Sequence, residues 1–481
     1  MPRYVVGIDS GSQSSKVTVF DELGAVVSEG RVALRPTVSP TPGAVEHPGD
    51  DLWESIAAAC RMAMAAFPHD PRSITGVGLC TIRFCRASLR ADGSLAGPVL
   101  SWMDPRVGRP FEAEGGDAAR VTTSSGYITH RLTGRFRDTA AQYQGVWPID
   151  HDAWDWSPDE TAYTATGLRR EQLSELVLPG EILGEVTAEA AAATGLPVGL
   201  PVVATANDKA VEALGCGLTD PRTLLISLGT YIAAMSVGDQ RAAAPTAYWC
   251  NFASEPGVFL YESAGIRRGM WTISWFRDLL GEAAAAAAAA EGTRLEEVLN
   301  REAERVPAGS GGLLSVLDWL APTGSPHRRG SILGFDGWHG RAHVYRSLLE
   351  GIAFTMRRAT LAMAAEVGVE YDRVVVSGGG SSSDLMMQIL ADVVGLPTER
   401  VVGESAAGRG AAVCAAAATG VHPSLGAAVA AMVHRRDRFE PDPSTAAVYA
   451  DLGALHGSIT EATDPLYERL AALGSAGTAS S

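Results

Sequence analysis

The 481 residues of the chain exceed the size at which one hydrophobic core keeps growing, so we expect two domains of roughly 200 to 250 residues each. A composition of 46% hydrophobic and 20% charged residues is typical of a globular protein and excludes a disordered or fibrous one. The net charge of −16, without any cluster of five or more basic residues, argues against nucleic acid or an anionic membrane as a partner.

The sequence also bears on the compartment. The first residues, MPRYVVGIDS, contain an apolar run of only five residues, too short for the core of a signal peptide or for a membrane span. No other uninterrupted apolar stretch reaches the roughly 18 residues that a membrane helix needs. The six cysteines are scattered without a CxxC pair, which favours reduced thiols over disulfides or a zinc site. These features predict a cytoplasmic protein.

Short strands and amphipathic helices alternate along the first half. YVVGIDS and the segment KVTVFDELGAVVSEGRVAL predict antiparallel strands joined by tight turns. The proline-rich stretch PTVSPTPGAVEHPGDD predicts a loop, after which Asp50 or Asp51 is expected to cap the helix LWESIAAACRMAMAAF. SITGVGLC predicts a strand, and SGYITHRLTG predicts a helix that ends at Gly134. This alternation indicates an α/β architecture.

A second strand-turn-strand unit, TLLISLGTYIAAMSV, begins about 215 residues after the first and has the same shape. The repetition favours a duplicated fold, although two unrelated hairpins would give the same pattern. We therefore place one domain at residues 1–219 and a second at residues 220–470. The tail, residues 471–481, is predicted to be disordered.

The first turn, within GIDSGSQSSK, has the character of a phosphate site. Successive backbone N–H groups in a Gly/Ser turn form an anion-binding nest, and Lys16 adds a positive charge. Asp9 cannot bind phosphate itself, so beside such a nest it would hold a hydrated Mg²⁺ ion. A plain hairpin with an aspartate in its turn is the alternative.

Two later segments also carry glycine-rich turns. SLGT at 227–230 offers a second Gly-Thr turn, which an ordinary hairpin would also explain. VVVSGGGSSSD at 374–384 places three glycines between a strand and a helix, so that the backbone can approach a ligand at the helix N-terminus. A flexible linker has the same composition, but the flanking strand and helix favour a nucleotide site.

Candidate substrate residues follow three other strands. Asp208, in ATANDKAVEALGCG, is placed to act as general base for a hydroxyl, with an ordinary helix cap as the alternative. The neighbouring Lys209 either lowers the pKa of that carboxyl group or points at the substrate. Trp102 can pack against a sugar face, and Arg83 or Asp104 can bond hydroxyls. A buried tryptophan and surface ion pairs would explain the same residues.

In combination these motifs resemble the FGGY carbohydrate kinases, the group that includes xylulokinase, glycerol kinase, gluconate kinase and ribulokinase. Nine stretches match in the family's order over nearly the whole chain. They are GIDSGSQSSK, EHPGDDLW, SWMDPR, YITHRLTG, TGLPVGLPVVATANDKAVEALGCG, SLGT, WFRD, GRAHVYRSLLEGIAF and SGGGSSSDLMMQILADVVGLP. The resemblance implies two actin-like, ribonuclease-H-like ATPase domains with ATP in the cleft between them.

The resemblance also implies roles for individual residues. Asp208 would be the catalytic base, and Asp9 would organise Mg²⁺. The residues expected beside the ATP phosphates are Gly11, Ser12, Gln13, Ser14 and Lys16 in the first turn and Gly229 and Thr230 in the second. The residues expected to flank adenosine are Gly379, Gly380 and Asp384. The residues at the sugar-binding positions are Arg83, Trp102, Asp104 and Lys209.

Departures from the family pattern concern the substrate. Where xylulokinases carry Gln-Met-His, this chain has Ile82, Arg83 and Phe84; glycerol kinases share the arginine but follow it with glutamate. Lys209 replaces the usual Asn or Gln after the base, and the segment VGRPFEAEGGDAARVTTS is shorter than its counterpart. We therefore expect a more cationic pocket, fitted to a polyol, ketose or sugar acid other than xylulose.

The overall expectation is an ATP- and Mg²⁺-dependent, xylulokinase-like sugar kinase with a small-molecule substrate. A homodimer is compatible with the sequence, which does not specify the oligomeric state. Alternatives are a gluconate-like kinase of a sugar acid, a non-catalytic ATP-binding regulatory homologue, and an actin-like chaperone or filament protein. The presence of Asp9, Lys16 and Asp208 together argues against the non-catalytic alternative.

Overall fold

Two large mixed sheets organise the computed structural model, which describes residues 2–112, 118–242, 244–403 and 405–478. The strands of the first sheet are β1 (Tyr4–Ser10), β2 (Ser14–Asp21), β3 (Val26–Ala33), β4 (Ile74–Thr81), β5 (Ile182–Glu185) and β6 (Pro201–Ala204). The strands of the second sheet are β7 (Thr223–Leu228), β8 (Ile232–Gly238), β9 (Tyr248–Phe252), β10 (Phe259–Ser263), β11 (Arg373–Ser377), β12 (Thr398–Val401) and β13 (Arg435–Phe439).

The two sheets repeat one pairing pattern. The first has the order β3-β2-β1-β4-β6-β5, with antiparallel pairs at both ends and the parallel strands β1, β4 and β6 in the centre. The second has the order β9-β10-β8-β7-β11-β12-β13, which repeats that succession and adds β9 at one edge. This confirms the predicted α/β class and the duplication suggested by the two strand-turn-strand units.

Helices flank both sheets. They are α1 (Asp51–Ala66), α2 (Ser124–Thr133), α3 (Glu160–Thr166), α4 (Ala188–Thr194), α5 (Asp208–Gly215), α6 (Gly269–Leu279), α7 (Glu282–Ala290), α8 (Leu295–Ala303), α9 (Arg341–Val367), α10 (Asp384–Val394), α11 (Ala406–Ala418), α12 (Leu425–Met432) and α13 (Ala446–Thr478). As predicted, α2 ends at Gly134, whose φ of 69° is the left-handed conformation favourable to glycine.

The remaining strands form small sheets. One has four strands, Glu46–His47, Arg86–Leu89, Val99–Leu100 and Arg120–Thr123. Three two-stranded sheets are also present among the described residues: Ile149–Asp150 with Asp155–Trp156, Arg137–Thr139 with Glu175–Val177, and Leu314–Val316 with Ser331–Leu333.

All six cysteines are free thiols. Within the described ranges, no helix combines the length and apolarity that crossing a membrane requires.

The predicted cap of α1 is wrong for both candidate residues, Asp50 and Asp51. Asp50 occupies the position before α1, but its side chain does not cap the helix; it accepts hydrogen bonds from Tyr127 and Arg131. Asp51 binds the backbone N–H and the guanidinium of Arg35, both at 2.9 Å. These acidic side chains therefore form tertiary contacts, which outweigh a local cap.

The tail differs from its prediction as well. The sequence predicts disorder over residues 471–481, but α13 continues to Thr478. Residues 479–481 lie outside the described residues. The composition of the segment around Ala471 and Ala472 is compatible with a continued helix, because alanine has the highest intrinsic helix propensity.

The two halves exchange helices across their junction. Helix α11 follows β12 of the second sheet, yet it packs against β1 and β4 of the first sheet. A Cβ atom added to Gly7 or Gly78 would lie 1.9 Å from a carbonyl oxygen of α11, so only glycine permits this approach. Helix α5 follows β6 of the first sheet, and its Ala210 and Val211 belong to the core that surrounds β7. The junction therefore carries Asp208, the first residue of α5.

The division after residue 219 falls between the last strand of the first sheet and the first strand of the second. Because the helices cross the junction, neither sheet is covered only by the segment that contains it. The domain assignment of residues 1–219 and 220–470 therefore stays a prediction.

We expect Gly78→Ala to lower the free energy of unfolding by about 1–3 kcal/mol or more, because its methyl group forces α11 away from the sheet. Urea denaturation measures this change. Gly97→Ala is the matched control, since no atom lies within 4 Å of a Cβ built at that position. Equal stability of the two variants would contradict the packing described for α11.

Candidate functional site

Polar residues converge where the central strands of both sheets end. Asp9 lies near the end of β1, Asp208 follows β6, and Ser227 and Ser377 are paired at the ends of the parallel strands β7 and β11. The carboxyl ends of parallel strands in an open α/β sheet are the usual location of a ligand site. The junction between the halves is therefore the candidate active site.

Asp9 lies in a strongly acidic environment. Burial raises the pKa of its carboxyl group to about 7, with further contributions from the negative charges of Asp208 and Glu212. Lys16, its cross-strand partner on β2, opposes this shift. In the part of the chain that the structure describes, neither a hydrogen bond nor an ion pair engages the Asp9 carboxylate. A cation at this position would be favourable.

The donor set near Asp9 suits Mg²⁺. No cluster of three or more His, Cys, Asp or Glu side chains with metal-binding geometry occurs among the described residues. Mg²⁺ does not require one, because it commonly binds one or two carboxylates together with substrate phosphates and retained waters. A single carboxylate beside two turns predicted to bind phosphate therefore fits this ion.

The first turn joins two antiparallel strands, as predicted. The N–H of Gly11 donates to the carbonyl of Ser14 at 3.1 Å, which closes the connection between β1 and β2. Ser12 and Gln13 are exposed at its tip, while the Ser14 hydroxyl accepts a hydrogen bond from Arg31. The Lys16 ammonium pairs with Glu29 on β3 at 2.8 Å.

The second turn and the glycine-rich loop pack against each other. The carbonyls of Gly229 and Thr230 accept hydrogen bonds from the first amides of α6, at 3.1 and 2.7 Å. A Cβ atom on Gly378 would lie 2.5 Å from the Leu228 carbonyl oxygen, whereas Gly379 has open space on its Cβ side. Glycine in this loop therefore permits contact with the second turn while leaving an open backbone surface.

Two predicted adenosine-side residues have different environments. Gly380 is buried, and a Cβ atom there would lie 2.8 Å from side-chain atoms of Leu228 and Met270. Asp384 is largely exposed at the start of α10, where its carboxylate pairs with Arg400 at 2.5 Å. Both therefore lie on the loop-helix connection that follows β11.

Asp208 is not a helix cap. The side chain of Asn207 caps α5 by accepting hydrogen bonds from the N–H groups of Lys209 and Ala210, both at 3.1 Å. Burial raises the pKa of Asp208, although the charges of Arg83 and Lys209 oppose this shift. The cap alternative is therefore wrong, and a raised pKa makes the carboxylate a stronger base.

Glu212 is a site residue that the sequence analysis missed. It pairs with Lys209 at 2.8 Å and accepts hydrogen bonds from the Ser227 and Ser377 hydroxyls at 2.7 and 2.6 Å. Burial alone would raise the pKa of Glu212, but the charge of Lys209 and these hydrogen bonds hold it below its ordinary value. Its spacing of four residues from Asp208, which puts both on one helix face, was an available signal.

Glu262 on β10 was also missed. It forms two hydrogen bonds with the guanidinium of Arg83, at 2.7 and 2.9 Å, so Arg83 is held by the opposite half of the molecule. The Nε atom of Arg83 lies 3.7 Å from the Asp208 carboxylate. Nothing in the local sequence around Glu262 indicated this contact, because the two partners are 179 residues apart.

The predicted cationic pocket is wrong. Arg83 and Lys209 each pair with a carboxylate, and Asp9 and Asp208 add two more negative charges nearby. The Lys209 ammonium group donates hydrogen bonds to Glu212 on α5 and to the Ser227 hydroxyl. Among the described residues these four carboxylates outnumber the three cations Arg83, Lys209 and Lys16, so the site is acidic rather than basic.

The WMDPR motif divides into two parts. Both oxygens of the buried Asp104 carboxylate already accept two hydrogen bonds each, from the backbone and guanidinium of Arg106 and from the Val45 N–H. This arrangement stabilises the local turn. Trp102 is 47% exposed. Of the shortened segment after this motif, residues 113–117 lie outside the described residues.

Comparison with protein-family models matches both halves. Residues 4–113 and 109–215 match the N-terminal domain of the FGGY family of carbohydrate kinases, and residues 224–419 match its C-terminal domain. The uncharacterized sugar kinase YgcE of Escherichia coli (strain K12) is 45% identical over 468 residues, covering 97% of this chain and 95% of that protein.

Solved structures share the fold. The xylulose kinase of Rhodospirillum rubrum superposes with a TM-score of 0.83 at 23% identity, over 97% of this chain and 100% of that one. The gluconate kinase of Lactobacillus acidophilus also gives 0.83, at 18% identity over 98% and 100% of the two chains. These likenesses confirm the predicted two-domain, actin-like fold.

We expect Glu212→Ala to lower the free energy of unfolding by about 3–5 kcal/mol, because it leaves the buried Lys209 without its carboxylate partner. Guanidinium denaturation measures the change. Glu461→Ala, an exposed helical glutamate, is the control and should change stability by less than about 0.5 kcal/mol. Similar losses in the two variants would contradict the role assigned to Glu212.

Proposed function

Because the chain belongs to the FGGY family of carbohydrate kinases, we propose that it transfers the γ-phosphoryl group of ATP to a hydroxyl of a ketose, polyol or related sugar. The family makes the protein a phosphotransferase with an alcohol group as acceptor. The proposal that a sugar hydroxyl is the acceptor rests on the environment of Asp208, the proposed base. The Asp208 side chain is 28% exposed, its neighbour Asn207 provides the helix cap in its place, and its pKa is raised.

In the proposed reaction Asp208 accepts the proton of the substrate hydroxyl. The hydroxyl oxygen then forms a bond to the γ-phosphorus as the bond from phosphorus to the bridging oxygen breaks, and ADP leaves. Phosphoryl transfer has a loose transition state, so positioning and charge stabilisation contribute most of the rate. The nearby Arg83 helps to orient the base, because its Nε atom lies 3.7 Å from the carboxylate.

The two turns supply the proposed phosphate site. The first offers the backbone of the exposed residues Ser12 and Gln13 at the end of β1, and Lys16, which pairs with Glu29, lies on the adjoining strand. The second, Gly229 and Thr230, is held against α6 and faces the glycine-rich loop. Their positions at equivalent points of the duplicated sheets support a site that contacts the phosphates from both sides.

The adenosine moiety is assigned to the second half. The open backbone surface at Gly379 lies at the start of the connection to α10, next to the buried Gly380. Asp384 begins that helix, where its pairing with Arg400 keeps it in place. Glycine allows a flat ligand to approach the main chain closely, which supports an adenine ring at this position.

Asp9 is the proposed Mg²⁺ residue. When bound, the ion would neutralise charge on the ATP phosphates and orient them for in-line transfer. The acidic surroundings that raise the pKa of Asp9 favour a divalent cation at this position.

Lys209 is reassigned to a positioning role. Its ammonium group contacts Glu212 and Ser227 rather than an open part of the site. By this network it joins α5 to the end of β7, and so it helps to place Asp208 relative to the second turn. The same arrangement argues against a non-catalytic homologue or a filament protein, since neither role requires an uncapped base.

We expect Asp208→Asn to lower kcat by about 10²- to 10⁴-fold, because the amide cannot accept the hydroxyl proton. A coupled assay of ADP release against ketoses and polyols measures the loss, and binding of a fluorescent ATP analogue should be unchanged. Sugar-stimulated turnover at the wild-type rate would disprove the assignment of the base.

Lys209→Met should reduce kcat/KM by a similar factor on neutral sugars and on sugar acids, since Lys209 acts through Glu212 and Ser227 and does not contact substrate. The ADP-release assay with matched ketoses and aldonates compares the two losses. A loss confined to the acids would instead indicate that Lys209 binds a substrate carboxylate.

A further inference from the structure

The Arg83–Glu262 pair closes one side of the sugar site. Arg83 comes from the loop after β4 of the first half, and Glu262 comes from β10 of the second. The Glu262 side chain is only 4% exposed, and that of Arg83 only 16%. Two charge-assisted hydrogen bonds between the same two side chains fix their relative orientation. The Arg83–Glu262 pair therefore forms one wall of the proposed sugar site.

Aromatic rings complete the same wall. Phe84 stacks on Trp249 with ring centroids 5.3 Å apart, and the Arg83 guanidinium lies 5.1 Å from the centre of the Trp249 ring. The backbone of Phe84 has a φ of 64°, a left-handed conformation that is unfavourable for a bulky residue. Strain of this kind persists only where surrounding contacts maintain it, and it is concentrated at functional sites.

Buried amides with unused hydrogen-bonding atoms lie on the bordering segments. Asn251 donates to Glu262 at 3.3 Å, but its Oδ1 atom has no partner among the described residues. Gln142 donates to the Thr81 carbonyl, and its Oε1 atom is likewise unpartnered in the described chain. The Nδ2 atom of Asn207, next to Asp208, is a third such atom. Two acceptors and one donor match hydroxyl groups, which both donate and accept.

The charges of the site disfavour an anionic sugar. Arg83 and Lys209 are both neutralised by their own glutamate partners, so a substrate carboxylate would have to displace one of them. It would also approach Asp208, which already has the negative charges of Glu262 and Glu212 nearby. An unpaired charge in a buried site is costly, whereas a neutral hydroxyl group does not have to displace either glutamate.

We propose that Glu262 is a specificity-determining residue that makes the site select neutral polyhydroxy compounds over sugar acids. The inference rests on the proposed kinase function and narrows its substrate class. Glu262 acts by neutralising Arg83, the cation nearest to the base, so that a substrate carboxylate finds no available positive charge there. A site that leaves an unwanted partner's charge unpaired discriminates against that partner.

The test compares wild type with Glu262→Gln on matched neutral and acidic compounds: D-xylulose with D-xylonate, D-glucitol with D-gluconate, and glycerol with D-glycerate. The ADP-release assay gives kcat/KM, and calorimetry gives affinity in the presence of a non-hydrolysable ATP analogue. We expect wild type to favour the neutral member of its best pair by at least about 10-fold. In Glu262→Gln the acid-to-neutral ratio should rise by at least about 10-fold, equivalent to about 1.4 kcal/mol.

Two control variants separate this role from a structural one. Glu29→Gln removes the partner of Lys16 and should leave the acid-to-neutral ratio unchanged, because that pair lies beside the phosphate turn. Glu262→Asp retains the charge and should retain the neutral preference, whatever its effect on stability. Thermal unfolding verifies that each variant is folded.

The outcomes distinguish the two proposals. Wild-type preference for the acids, an unchanged ratio in folded Glu262→Gln, or loss of neutral preference in Glu262→Asp would each overturn the inference and leave the kinase function standing. If Glu262→Gln does not fold, the acid-to-neutral ratios of wild type and of Glu262→Asp test the inference instead. Absence of turnover with every compound would count against the kinase function, and the calorimetric ratios would then test the inference alone.

Discussion

The position of the catalytic machinery depends on the buried carboxylate of Glu212. This residue lies on α5, which follows a strand of the first sheet, yet its Oε1 atom accepts hydrogen bonds from hydroxyls at the ends of two strands of the second sheet. Lys209 supplies the charge that keeps Glu212 ionised in a buried position. Since Asp208 is one helical turn away, this network sets the distance between the proposed base and the second turn, Gly229 and Thr230.

The helix exchange makes that network possible. Helix α11 packs closely on the first sheet only because Gly7 and Gly78 present no side chain to it, and α5 packs in the core of the second half. The halves are thus joined by apolar packing as well as by charges. Close packing resists small displacements, which is the property that phosphoryl transfer requires of the groups that align donor and acceptor.

The balance of charge explains why residues that looked cationic in the sequence do not make a cationic site. The chain has only two lysines, Lys16 and Lys209, and both lie at this junction, where each pairs with a glutamate. Arg83 has its own partner in Glu262. Of the remaining carboxylates, Asp9 has no ion-pair partner among the described residues and Asp208 has only Arg83 at 3.7 Å, which is compatible with the proposed roles of holding a metal ion and accepting a substrate proton.

The sequence by itself determined the repeated strand-turn-strand units, the glycine turns and the position of Asp208 after a strand, because these are local patterns of hydrophobicity and turn chemistry. It also indicated the family, through motifs spread along the chain. Only the tertiary structure decided which side chains pair: Arg83 with Glu262, Glu212 with Ser377, and Asp50 with Arg131. These partners are far apart in sequence, and the energy of a buried charge depends on neighbours that only folding brings into contact.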